Sequence, residues 1–171
     1  RDRFHEAVDR GDVTAAEENI NKIRSAFPRY DSLEEMEETY GVLKAEYDRC
    51  RAEIENLFEL RMYCACRDRC EEHRRRFTYM LETDPGVSSM YNRSAKHIEE
   101  AERIFREAGS LEDDDERLAQ YRMAAEECPD HPQAKVRMSA YPPEGPADIE
   151  VEVRSDSAVL RFQIPSRRDN M

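Results

Sequence analysis

The chain has 171 residues, 39% of them charged and 39% hydrophobic, with a formal net charge of −12. That length suits one ordinary domain. So acidic a balance excludes a general nucleic-acid binder, which needs a basic footprint, and no apolar run approaches the roughly 18 residues of a membrane span.

Five Gly and no Trp favour helix. Charge at this density suits exposed helices with narrow apolar stripes, not a thick core. The five Cys are an odd count, clustered mostly on one predicted helix, and do not form a disulfide framework. They point to a reduced, cytoplasmic setting. There is no signal-peptide pattern. The chain opens on Arg1, not Met, and we expect it to be a segment of a longer protein.

Residues 2 to 10 predict a short helix with Phe4, Ala7 and Val8 inward, and Gly11-Asp12 a turn. Val13, Ala16, Ile20, Ile23 and Phe27 then mark a second amphipathic helix, stopped by Pro28. The unit of helix, Gly11-Asp12 turn, helix and Pro28, with Ala7, Ala16 and Ile20 at the crossing, resembles a tetratricopeptide (TPR-like) repeat over about the first 28 residues. The bulky aromatic, Leu and Gly that usually mark the first helix of such a repeat are missing or replaced. The resemblance implies partner binding.

The longest run without a turn signal is Ser32 to Glu82, which predicts one long central helix over about 32–82. Ser32 and Glu35 have the spacing of a capping box. Leu33, Met36, Tyr40, Leu43, Tyr47, Cys50, Ile54 and Leu57 fall at steps of three and four, one continuous stripe. A second series, Tyr63, Cys66, Cys70, His73, Phe77 and Met80, is out of phase with the first. A shift of two residues turns the apolar face by roughly 200°. The helix therefore swaps partners, bends or breaks near 58–63, and with no Gly or Pro there one continuous helix is the expectation. Thr83-Asp84-Pro85-Gly86 ends it.

A further helix is expected from Ser88 or Ser89 to Ala108, with Tyr91, Ala95, Ile98, Ala101, Ile104 and Phe105 inward and Gly109 as its stop. The next starts within Ser110 to Glu116, with Leu118, Tyr121, Ala125 and Cys128 inward. Cys128-Pro129-Asp130-His131-Pro132 closes it, and a short helix begins at Pro132. This closing pattern again resembles a TPR-like repeat.

Residues 141–147, Pro-rich, read as a linker. Beyond it the apolar period becomes two: Ile149, Val151 and Val153, a turn at Arg154–Ser157, then Ala158, Leu160, Phe162 and Ile164. The Pro-rich entry and two strands ending at Pro165 resemble the start of a fibronectin type III domain, with Phe162 nearest the usual Trp. The expected organisation is mainly α: 1–140 an array or bundle of antiparallel helical hairpins of TPR-like character, then the linker, then a β-hairpin at 148–171 as the first strands of a truncated fibronectin type III-like domain.

Cys64, Cys66, Cys70 and His73 invite a metal or redox reading, since zinc takes four thiolate or imidazole ligands in a tetrahedron. Cys66, Cys70 and His73 share a face, Cys64 points elsewhere, and Cys50 or Cys128 would have to complete a site. The expectation set against it is that Cys66 and Cys70 are small core residues of the second stripe, buried Cys being common and inert. Arg61, Arg67, Arg69, Arg74, Arg75 and Arg76 are the one basic concentration. Arg67, Arg74, Arg75 and Arg76 are candidates for docking a protein or peptide partner, an acidic one in that case. They serve equally as a solvated face or as a match to the acid-rich stretch from Glu99 to Asp130. Glu112–Glu116 lacks the Gly and ligand spacing of a calcium loop. No Gly-rich phosphate loop, Gly-x-Ser-x-Gly elbow or His-Glu-x-x-His motif is present. The expected function is protein–protein interaction or scaffolding within a larger multidomain protein, without catalysis and without a cofactor. The alternative is a regulatory metal- or redox-sensing helical domain built on Cys64, Cys66, Cys70 and His73.

Overall fold

The computed structural model describes residues 2–139 and, beyond them, the backbone alone of 147–153 and 158–163. Residues 141–146 of the expected linker and the turn at 154–157 lie outside the described residues. The described part is mainly helical. Its helices are α1 (Asp2–Asp9), α2 (Val13–Ala26), α3 (Leu33–Glu59), α4 (Tyr63–His73), α5 (Met80–Thr83), α6 (Pro85–Ala108), α7 (Asp114–Glu127) and α8 (Pro132–Ser139). None of them is long and apolar enough to cross a membrane.

The first hairpin follows its apolar pattern. Phe4 and Ala7 of α1 are buried against Ala16 and Ile20 of α2. Asp12 caps α2 by accepting from the Ala15 N–H at 2.9 Å. Gly11 makes the turn at φ +66°, and a Cβ there would stand 2.1 Å from the Arg76 carbonyl oxygen. The reason is tertiary: Thr78 N–H donates to the Arg10 carbonyl (3.4 Å) and the Arg76 guanidinium donates to the Val8 carbonyl (3.2 Å), so another part of the chain lies on the turn. Phe27, expected inward, is 66% exposed, because α2 ends at Ala26 and the chain turns away before Pro28.

The long helix expected over 32–82 is instead two helices, α3 and α4, with a short α5. Met62 N–H bonds to the Leu57 carbonyl (2.9 Å) and Arg61 N–H to the Phe58 carbonyl (3.0 Å), with Arg61 at φ 58°. This is a Schellman stop with Arg where Gly is usual. Left-handed backbone costs a side-chain-bearing residue about 1–2 kcal/mol. The opposing gain is that each out-of-phase apolar stripe faces a core: α4 folds back along α3, Cys66 coming over the Ile54 carbonyl and Phe77 meeting Tyr47 edge-on at 5.3 Å. Ser32 precedes α3 but makes no side-chain cap, so the capping box expected with Glu35 does not form.

Helix α6 starts three residues earlier than Ser88. Pro85 takes the first turn, where its missing N–H costs nothing, and Asp84 caps Gly86 and Val87 at 2.9 and 3.1 Å. The other oxygen of Asp84 accepts from the Tyr47 hydroxyl (2.9 Å) and pairs with Arg51 (3.3 Å), tying α6 to α3. Gly109 follows the last residue of α6, but at φ −64°, not left-handed. Asp113 caps α7 through Glu116 N–H at 2.9 Å. On α7 the buried residues are Tyr121 and Ala124, with Cys128 just beyond, whereas Ala125 is only half-buried. The main core joins α1 through α6 around Phe4, Met36, Ile54, Phe77 and Val87. Two smaller clusters hold the C-terminal helices: Tyr63, Ile98, Ala101 and Cys128, and then Ile104, Ala124 and Ala134.

Two glycines give opposite expectations. Gly11→Ala should cost about 3 kcal/mol, since left-handed strain adds to displacement of the Arg76 carbonyl. Gly41 lies inside α3 with nothing within 4 Å of a Cβ, so Gly41→Ala should add up to about 1 kcal/mol. Urea denaturation of the two variants checks both signs.

Candidate functional site

The cysteines divide into two sets because α4 is one short helix. Cys64 and Cys66 are two residues apart, roughly 200° around the axis, and face different neighbours. Cys66 and Cys70 share a face and are fully buried in the main core. The Cys66 thiol lies 3.8 Å from the Ile54 carbonyl. Hydrogen bonding between the two thiols favours a thiolate at Cys66 against the burial that opposes it, and the same bond together with burial pushes Cys70 up. Neither thiol is open to reagents.

His73 leaves that pair. Its Nε2 lies 3.1 Å from Glu53, on the exposed edge of α3, beside the Arg69–Glu53 pair at 3.0 Å. The expected grouping of Cys64, Cys66, Cys70 and His73 is therefore not assembled. Cys66 and Cys70 take the role of small core residues, His73 an interhelical contact with Glu53, and Cys64 a place elsewhere. Cys50, half-buried on α3, packs at the edge of the main core.

Cys64 meets the loop between α7 and α8. Its Sγ is 3.7 Å from Cys128 Sγ, and Cys128 Sγ is 3.2 Å from Asp130 Oδ1. Asp130 also accepts from two N–H groups in the first turn of α4, Cys64 N–H at 3.1 Å and Ala65 N–H at 2.9 Å. Helix α4 has no side-chain cap of its own, Met62 standing at that position. A carboxylate 66 residues away in sequence supplies it and answers the positive end of the helix dipole. Burial is the first cause raising the Cys64 thiol, and burial together with the Asp130 carboxylate raises Cys128. The surrounding contacts fix the same junction. Tyr63 stacks on His97 at 4.1 Å, His97 Nδ1 lies 2.6 Å from Glu127, and the Arg61 guanidinium donates to the Glu126 carbonyl. Cys64, Arg67 and His131 line a cleft of ≈ 350 Å³ beside it.

The arginines differ among themselves. Arg74 reaches Glu71 and Glu82 at 3.8 and 3.7 Å, and Arg67 reaches Asp68 at 3.6 Å. Arg76 pairs with Glu46 at 3.5 Å, donates to the Val8 carbonyl and lies over the Phe77 ring. Their partners are local acids, not the stretch from Glu99 to Asp130. Arg75 is exposed and makes no ion pair with a described residue. Asp130 is the residue that sequence reasoning passed over. Its one visible signal is its place in Cys128-Pro129-Asp130-His131-Pro132, where Asp after Pro reads as turn chemistry; its partner on α4 is set by tertiary structure alone.

Two outcomes are expected. Asp130→Ala should lower stability by about 1–2 kcal/mol through loss of the α4 cap, read from urea denaturation. In the reduced native protein a bulky thiol reagent should label only the half-buried Cys50 and Cys64 rapidly, and all five cysteines after denaturation. Mass spectrometry of the labelled peptides checks the assignment.

No family model, no curated protein and no solved structure matches this chain.

Proposed function

We propose that the chain is a protein–protein interaction or scaffolding module of a larger multidomain cytoplasmic protein, its helices arranged as hairpins of TPR-like character. One observation carries the reading. In a chain of net charge −12, Arg75 stands exposed and unpaired among the described residues, on a segment whose neighbours are pinned. Arg74 and Arg76 are engaged by local acids, and Phe77 is buried at 1% exposure. Tyr79, 37% exposed, lies on the same segment. An exposed guanidinium on a held stretch of backbone, with an exposed tyrosine four residues on, suits a carboxylate- or phosphate-bearing peptide, because the backbone needs no ordering on binding. The docking role considered for Arg67, Arg74, Arg75 and Arg76 thus narrows to Arg75.

The hairpin character is supported by the successive packing of α1 on α2, α2 on α3, α6 on α7 and α7 on α8. We read the C-terminal segment as the opening hairpin of a fibronectin type III-like domain. That reading rests on the Pro-rich entry and on the period of two in Ile149, Val151 and Val153 and in Ala158, Leu160 and Phe162, the segments named β1 (Ala147–Val153) and β2 (Ala158–Gln163). Two strands alone are marginal in water, so the hairpin would need further strands or a packing partner.

Arg75→Glu should change stability by less than about 0.5 kcal/mol while sharply reducing the partner recovered with the full-length protein in affinity capture, quantified by mass spectrometry. Arg76→Glu should instead cost about 1 kcal/mol, since it breaks the bond to the Val8 carbonyl and sets a like charge beside Glu46. Unchanged capture by the Arg75→Glu protein removes this surface from the proposal.

A further inference from the structure

We propose that Cys64, Cys128 and Asp130 form a binding site for a thiophilic divalent cation of the zinc class. The three ligand atoms lie within 4.8 Å of one another. An ion with bonds of about 2.3 Å to sulfur and about 2.0–2.2 Å to oxygen, placed tetrahedrally, separates two sulfurs by roughly 3.8 Å and a sulfur from an oxygen by roughly 3.5 Å. The observed separations are 3.7 Å for Cys64 Sγ to Cys128 Sγ and 3.2 Å for Cys128 Sγ to Asp130 Oδ1. A disulfide would bring the two sulfurs to about 2.05 Å; in the reduced chain their 3.7 Å separation matches that of two thiolates sharing one ion.

The site is also built in its surroundings. The ligands come from two separately anchored pieces of chain: Cys64 from the first turn of α4, and Cys128 and Asp130 from the connection between α7 and α8. The carboxylate is oriented by the two α4 N–H groups it accepts from, the kind of outer hydrogen bonding that holds metal ligands in place. Two thiolates and one carboxylate around a dication leave one net negative charge, set against the positive end of α4. Binding exchanges protons for the ion: each thiol loses its proton to solvent as its sulfur coordinates, two protons released for one dication bound. Cys64 also borders the ≈ 350 Å³ cleft. The fourth position therefore falls to a water or to a ligand entering from that side, as in zinc sites with three protein ligands. The site does not depend on Arg75 or on the interaction reading, and either can fail without the other.

Cobalt(II) titration of the reduced full-length chain tests this. The expected result is one cobalt per chain with thiolate-to-cobalt charge transfer and tetrahedral ligand-field bands, bleached by zinc. The signal should be lost in Cys64→Ser and retained in Cys50→Ser, with helix content by circular dichroism unchanged in both. On the unaltered protein, zinc should slow alkylation of Cys64 and leave Cys50 unaffected, a readout that needs no variant to fold. Absence of charge transfer in the unaltered protein, a full signal in folded Cys64→Ser, or zinc without effect on Cys64 alkylation would each overturn the proposal.

Discussion

The reversal at Leu60-Arg61-Met62 decides the rest of the structure. Helix α3 buries one stripe, and the residues after Met62 carry their apolar side chains on the other side of any continuous helix. Continuing straight would leave Tyr63, Cys66 and Cys70 in water. Burying side chains of that size is favoured by about 1.5–3 kcal/mol each, against about 1–2 kcal/mol for one left-handed Arg. The turn wins by a wide margin. Folded back, α4 lays Cys66 over Ile54 and carries Phe77 to Tyr47. The same fold-back sets Arg76 and Thr78 on the α1–α2 turn, which is why Gly11 tolerates no side chain.

The reversal has a second consequence at the other end of α4. It exposes a helix start with no cap of its own, and the α7–α8 loop fills it with Asp130. The C-terminal helices are held to the body largely by this junction and by small clusters around Tyr63 and Ile104. Tyr63, His97 and Glu127 form a chain of contacts from α4 through α6 to α7. Removing one carboxylate thus loosens a helix start and a domain contact at once.

Helix positions and the main core were legible wherever an apolar period of three and four runs unbroken. Phe4, Ala7, Ala16 and Ile20 in the first hairpin and Ile98, Ala101 and Ile104 on α6 fall where spacing alone puts them. The break in the central helix was visible as a change of phase but not as a stop, because the stop signal usually read is Gly and here it is Arg61. The Ser32 cap failed for a related reason: a capping motif states what a local segment can do, and here the turn preceding α3 does not bring the hydroxyl to the free N–H groups. The arrangement of the cysteines was half legible. Spacing along α4 separates Cys64 from Cys66 correctly, but no spacing connects Cys64 to Cys128 and Asp130, which meet only because α4 runs back.

The two thiol pairs have different physical consequences for the fold. Cys66 and Cys70 lie inside the largest core, where a bound ion or an oxidation would have to displace packed atoms at interior density. Cys64 and Cys128 lie at the seam between that core and the C-terminal helices, beside a cleft that solvent enters. A bond or ion at the inner pair joins residues of one helix and constrains nothing new. At the outer pair it joins residues 64 apart in sequence, closing a long loop whose entropy in the unfolded chain grows with its length. Any chemistry at the outer pair therefore acts on how firmly α7 and α8 are held, and through Asp130 on the start of α4 itself.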